Sequence, residues 1–262
     1  MEAQVEAPNQ YEAKDIRQFV LSRTREYGPE HAKTVTTSLR MFLRYLVADG
    51  LCNPNLVAAV PTIAHWKLSS LPRYLPSEDV ERVVAACDPS THIGIRDRAI
   101  ILLLARLGLR AGDVIALRLQ DIDWEGASIR VAGKSRREER LPLPQHVGDA
   151  LLKYLEEVRP NVNEDQIFMR SNAPIGRLRG SSIVSWIVGS AMRRAGVRGH
   201  SYGAHVLRHS AATQMLRDGA SLEVVGSVLR HQSPDTTAHY AKVDFSLLQQ
   251  VVQPWPGEVS SC

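Results

Sequence analysis

Long apolar runs are what this sequence most lacks. The longest, Ala99 to Ala105, is about a third of what a membrane-spanning helix needs, so no spanning segment is expected. The first ten residues carry Glu2 and Glu6 without an apolar centre, which argues against a secretory signal. Cysteine is scarce: Cys52, Cys87 and Cys262 are odd in number and far apart, a pattern that suits neither a disulfide framework nor a zinc site. A reducing cytoplasm is the simplest home. Internal repeats and low-complexity tracts are missing as well. So is a strong excess of one charge: 32 basic against 28 acidic residues give a net +4 and a pI near 9.1, which favours a polyanionic partner only weakly. What remains, at 44% hydrophobic and 23% charged residues over 262 positions, is an ordinary globular chain with room for two modest domains or one large one.

Residues 12–60 read as helical. Ile16, Phe19 and Val20 give one apolar face that stops before Gly28-Pro29; Val35, Leu39, Phe42, Leu43 and Leu46 give a second, closing at Asp49-Gly50. Lys33, Arg40 and Arg44 fall off that stripe. A solvated face is the plain account of them, and Arg40 and Arg44 are also candidates for contact with a polyanion. A short helix restarts at Asn53-Pro54 and ends at Val60-Pro61. Residues 61–76 then hold Pro61, Pro72 and Pro76 around Ser69-Ser70, the composition of a linker. The division this suggests is a helical domain over 1–66, a linker over 67–76 and a larger domain over 77–262.

Ser77 reads as an N-cap, with Glu78 and Asp79 in the first turn and Val80, Val83 and Val84 turned inward. From Arg96 to Leu107 the pattern predicts a helix apolar on most sides, ended by Gly108. Arg110 follows in the turn before another helix with Asp113, Val114 and Leu117. A buried arginine needs a partner; Asp113 is the structural candidate and an anionic ligand the functional one. Ser128 to Val131 alternates as a strand does, and Arg140-Leu141-Pro142-Leu143 resembles its return. The turn between, Gly133-Lys134-Ser135-Arg136-Arg137-Glu138-Glu139, is rich in charge and by itself reads as solvated. Two amphipathic helices follow, over 147–158 and 183–195.

The stretch from Ser201 to Tyr240 gathers two imidazoles, a guanidinium and a phenol in His205, Arg208, His231 and Tyr240. His205 and Arg208, three apart, share a helix face. That helix stops at Asp218-Gly219, a second begins with Ser221 as N-cap, and Ser233-Pro234 opens a third that should carry His239 and Tyr240. His205 and His209 are also spaced as zinc ligands can be, but residue 206 is valine rather than the glutamate of a His-Glu-x-x-His helix. An oxygen-rich anion suits the set better. A phosphodiester under attack builds charge on its non-bridging oxygens, which fixed guanidinium forks can neutralise. A tyrosine nucleophile needs help, since ionising a phenol of pKa about 10 at pH 7 costs roughly 4 kcal/mol. The departing alkoxide needs a proton donor, for which lysine or histidine is suitable.

Taken in order, Arg110 in Gly-Leu-Arg-Ala-Gly-Asp-Val, Lys134 in Val-Ala-Gly-Lys-Ser-Arg-Arg, His205-Val206-Leu207-Arg208-His209, His231 and Tyr240 closely resemble the tyrosine recombinase (phage integrase) family, its Xer-type and transposon-borne members above all. The catalytic resemblance covers about residues 73–245, and Asp15 to Pro61 looks like the family's helical core-binding domain. It implies a mainly α fold with a small antiparallel β-sheet (α+β). By the same resemblance Arg110 and Arg208 clamp the scissile phosphate, His205 assists acid/base transfer and His231 hydrogen-bonds the phosphate. Lys134 protonates the leaving 5′ oxygen, Tyr240 attacks to give a 3′-phosphotyrosyl link, and Asp113 supports the arginine. Arg136 and Arg137 make the turn more basic than in many relatives and are candidates for salt-sensitive DNA contact. The implied partner is double-stranded DNA with paired recombination sites, gripped between two domains by a homotetramer, with sister recombinases as further partners. No metal, high-energy cofactor or membrane is implied, and the place of action is the nucleoid in the cytoplasm.

Besides that basic turn, the sequence departs from the family pattern in two further places. Arg230 stands where a glycine commonly precedes the histidine, and few residues precede Asp15 to supply the helix with which such domains usually begin. A shortened N-terminal domain is the expectation, with a short apolar helix over 245–252 after the tyrosine. Two other functions stay open on these residues. One is topoisomerase-like nicking and resealing; the other is a DNA-binding remnant that modulates a full-length recombinase.

Overall fold

A computed structural model describes residues 10–63, 72–132, 138–198, 202–231, 233–238 and 240–241. The charged turn with Lys134, Arg136 and Arg137 lies outside the described residues, as do His239 and the tail helix expected over 245–252. The chain divides into two compact units, Met1–Ser69 and Ser70–Cys262.

The first unit is three helices: α1 (Ala13–Tyr27), α2 (Pro29–Ala48) and α3 (Asn55–Ala59). The Glu12 N–H donates to the Asp15 carboxylate at 2.9 Å, which satisfies a backbone donor at the start of α1. Gly28 at φ 82° ends α1, and Pro29 supplies the preset φ with which α2 begins. Ile16, Leu43, Leu56 and Val60 form the core, with Leu39 and Val57 packed against them. Phe19 and Phe42, expected inside, are exposed. Ala32 and Thr36 are buried on α2, so the stripe is narrower and more polar than its apolar periodicity suggests. Arg40 Nη2 donates to the carbonyls of Val60 at 3.2 Å and Pro61 at 2.9 Å, closing the end of α3, while Arg44 is exposed.

In the second unit, α4 (Ser77–Ala85) precedes the long α5 (His92–Leu107). Ser77 is the first helical residue rather than the cap, a place that Pro76 takes. Helix α5 begins a turn earlier than expected because the Thr91 hydroxyl accepts from the Gly94 N–H at 3.0 Å. Gly94 is required there: a Cβ would meet the Asp88 carbonyl oxygen at 1.9 Å. Every residue from Ala99 to Ala105 is buried, as expected for a central helix, and each large apolar side chain contributes roughly 1.5–3 kcal/mol.

Around α5 pack α4, α6 (Ala111–Ala116), α7 (Gln145–Glu157), α8 (Ser181–Arg194) and α9 (Ala204–Arg217). A three-stranded antiparallel sheet, β1 (Ile122–Asp123), β2 (Ser128–Ala132) and β3 (Glu138–Pro142), runs in the order β1-β2-β3. Its two-residue first strand is too short to announce itself by alternation. Ile129, Val131 and Leu141 face the core. Arg130 pairs opposite Arg140, and like charges so placed repel. Arg130 is held by Asp121 at 3.0 Å and Arg140 by Asp123 at 3.3 Å, which offsets that repulsion. The chain then makes α10 (Leu222–Val228) and α11 (Pro234–Ala238). Ser221 caps α10 as read from the sequence. Helix α11 stops two residues short of Tyr240, which lies beyond it in a tighter turn.

Candidate active site

Three segments of the second unit meet at one corner: the turn after α5, the middle of α9, and the run from the end of α10 to Tyr240. Arg208 on α9 joins them. Its Nη1 donates to the Gly108 carbonyl and its Nη2 to the Leu229 carbonyl, and the side chain is buried. Gly108 leaves α5 in the left-handed region at φ 62°. A Cβ there would stand 2.5 Å from Leu229 Cδ2, so both conformation and space require glycine. Burial, followed by repulsion from Arg110, draws the Arg208 pKa down to about 10, which leaves it a cation at neutral pH.

Arg110, half-buried, precedes α6 and donates through Nη2 to the Arg230 carbonyl at 2.7 Å. The two guanidiniums therefore hold consecutive carbonyls, of Leu229 and Arg230. Each guanidinium has five N–H donors, and these bonds use two of Arg208's and one of Arg110's. The Asp113 carboxylate accepts from the Arg110 backbone N–H at 3.0 Å. Its side-chain partner is not the Arg110 guanidinium, as the sequence suggested, but Arg230.

Arg230 occupies the turn that closes α10. Its N–H donates to the Ser227 carbonyl at 2.8 Å and the His231 N–H to the Gly226 carbonyl at 2.9 Å, the pair of bonds with which helices end on a left-handed residue. Arg230 holds that conformation at φ 54°, which costs a non-glycine residue about 1–2 kcal/mol. This explains why a glycine is the common occupant. Its side chain is buried, and among the described residues Nε and Nη1 have no hydrogen-bond partner.

Tyr240 is 2% exposed and packs with Ala212, Leu216, Val225 and Leu229. His231 lies parallel to its ring, centroids 6.2 Å apart. The Nδ1 of His231 is 2.7 Å from the Thr237 hydroxyl, a contact that Gly226 makes room for, since a Cβ there would sit 2.8 Å from that oxygen. Burial, with Arg208 and Arg110 adding to it, pulls the His231 pKa down to about 4. Burial pushes the Tyr240 phenol up to about 12, against the opposing pull of Arg208. Ionising it at pH 7 then costs about 7 kcal/mol, nearly twice the figure for a solvated phenol.

The structure thus brings Arg110, Asp113, Arg208, His231 and Tyr240 to one corner. His205 is exposed in the first turn of α9. The imidazole on the Tyr240 hydroxyl is that of His209, with Nδ1 2.6 Å from the phenolic oxygen. The sequence places His209 in the block that carries the resemblance and in a zinc-like spacing with His205, but assigns it no role at the tyrosine. Its position next to Arg208, within the His205–His209 run that carries the family resemblance, is the available signal.

Residues 73–246 match the family model described as "Phage integrase family". The protein named "Putative integrase/recombinase y4rA" of Sinorhizobium fredii is 45% identical over 249 residues, spanning 95% of this chain and 61% of its own. A second from that organism, y4rF, is 39% identical over 85% of this chain and 53% of its own. The chain therefore spans between half and two thirds of the length of these relatives. Tyrosine recombinase XerD of Listeria monocytogenes is 30% identical over 93% of this chain and 82% of its own. Among solved structures, the XerH site-specific recombinase bound to palindromic difH substrate superposes with a TM-score of 0.74 at 21% identity, over 92% of this chain and 71% of that one. A lambda integrase dimer on a core site gives 0.68 at 20%, over 90% and 81%. The fold is shared, mainly helical with a small antiparallel sheet, and the chain belongs to the phage integrase family.

Proposed function

We propose that the chain is a site-specific DNA recombinase that cuts and rejoins strands through a 3′-phosphotyrosyl intermediate. The observation that carries this is the placing of the buried Tyr240 hydroxyl beside a corner built on the guanidiniums of Arg110 and Arg208. In this reading Tyr240 attacks the scissile phosphorus, the new Tyr–O–P bond forms as the P–O5′ bond breaks, and Lys134 protonates the departing oxygen. Arg110, Arg208 and His231 stabilise the charge on the non-bridging oxygens. The bond energy stays in the ester, so a 5′ hydroxyl from a partner strand reverses the step without metal or high-energy cofactor.

Double-stranded DNA is the partner, gripped by a core-binding domain over 1–66 and a catalytic domain over 77–262, joined by a linker. Arg40, Arg44, Arg136 and Arg137 contact its backbone. The assembly is a homotetramer on two sites, acting in the cytoplasm at the nucleoid. Among the described residues no helix is long and apolar enough to cross a membrane.

The test incubates the protein with a nicked duplex carrying a candidate site, chosen by searching the DNA beside its gene for inverted repeats. A covalent adduct on a denaturing gel, absent from Y240F, supports strand cleavage. Normal DNA binding without an adduct favours the remnant reading instead. Junctions between two sites separate recombination from resealing alone.

A further inference from the structure

The resemblance to the family directs attention to His205 for proton transfer, yet a different histidine touches the nucleophile. We propose that His209 is a further catalytic residue, the base that takes the Tyr240 proton as the phenolic oxygen attacks phosphorus. This rests on the strand-cleavage reading above.

The geometry supports the role in three ways. His209 Nδ1 is 2.6 Å from the Tyr240 oxygen, within the range over which a proton moves directly between heavy atoms. The two rings tilt at 50°, centroids 5.5 Å apart. His209 also follows Arg208 on α9, so the helix that seats the phosphate ligand also fixes the base. Next, the phenol sits in apolar surroundings that hold it neutral, so a nearby acceptor is needed rather than optional. Finally, the other imidazole against Tyr240 is differently engaged: His231 lies parallel to the ring and has its Nδ1 on Thr237. His205, in the first turn of α9, is exposed.

The proton balance closes. Neutral His209, protonated on Nε2, accepts the phenol proton at Nδ1 and becomes imidazolium; Tyr–O–P forms, P–O5′ breaks, and Lys134 gives its proton to the 5′ oxygen. On rejoining, the imidazolium returns its proton to the departing phenolate while the lysine recovers one from the attacking 5′ hydroxyl. His209 thus lies against the Tyr240 hydroxyl, next in the chain to Arg208, and close enough to His231 for the two rings to affect each other's charge.

The experiment compares adduct formation on the nicked duplex by the unsubstituted chain, H209A and H209Q, each carrying at position 240 either tyrosine or a ring-fluorinated tyrosine of lower phenol pKa. DNA binding is measured alongside by gel shift. Loss of H209 is expected to slow adduct formation roughly a hundredfold or more with tyrosine. With the fluorinated phenol, which needs its base less, the loss should shrink to about tenfold or less. Unslowed cleavage by H209A, or an equal loss with both phenols, overturns the assignment while leaving strand cleavage intact. No adduct from the unsubstituted chain overturns strand cleavage itself, and the base with it.

Discussion

Arg230 and Asp113, 117 residues apart in sequence, form an ion pair at the foot of the candidate active site, the arginine buried and the carboxylate partly so. Asp113 also holds the backbone N–H of Arg110, and Arg110 holds the backbone carbonyl of Arg230, so three residues close a ring of bonds that fixes the Arg110 turn against the end of α10. Removing one charge should leave the other buried and unmatched, at a cost of about 3–5 kcal/mol. D113A is therefore expected to be strongly destabilised in urea unfolding. R230G should lose less than R230A, because glycine relieves the left-handed backbone strain. The double variant D113A/R230G should be more stable than the sum of the two losses predicts; strict additivity would show that the pair is not coupled.

Gly108 gives a second prediction. Alanine there must adopt a left-handed φ and press against Leu229, whose carbonyl seats Arg208. G108A should lower stability by at least about 1–2 kcal/mol. It should also slow adduct formation out of proportion to its effect on DNA binding. Equal effects on both would mean that the Arg208 seat tolerates the shift.

Arg208 itself spans two carbonyls with two separate nitrogens, which a lysine ammonium on a thin stem cannot reproduce. R208K keeps the charge and should still slow cleavage roughly a hundred- to a thousandfold, with DNA affinity nearly kept. Single-turnover adduct formation reads this directly.

The pH dependence of folding offers a fourth. The folded chain holds His231 neutral down to about pH 4, against an ordinary value of 6.5. The stability tied to the neutral ring is therefore complete above about pH 6.5, and is lost as pH falls from there through about 4. The ring is partly exposed, so solvent screening shrinks the effect below what the shift alone would give. Urea midpoints at pH 7 and pH 4.5 should differ more for the unsubstituted chain than for H231Q. A bound phosphate should act the other way and raise the His231 pKa.

Much of this was legible in the sequence. Caps and breakers placed most helix boundaries to within a few residues, because Gly108, Ser221 and Asp218-Gly219 act locally. The pattern of α5 reported its burial for the same reason. What stayed hidden depends on neighbours. Periodicity gives the direction of an apolar stripe but not the width of the surface it meets, so Phe19 and Phe42 read as core and are exposed. Asp113 was recognisably a partner for an arginine, yet only the tertiary fold decides that the arginine is Arg230. The His209 contact was invisible because helix spacing says which residues share a face, not which phenol another segment lays across it.

Tyr240 does not belong to the main core. It is one of five side chains in a separate buried cluster with Ala212, Leu216, Val225 and Leu229. Among the described residues, α10 and Tyr240 are held by this smaller cluster, by Tyr74, Met215, Ala220 and Leu222 packed against it, and by the arginine bonds, so local opening there is expected at lower cost than in α5. Amide protons of α10 should exchange well before those of α5. Tyr240 is thus moored to a small raft beside the hull rather than to the hull itself.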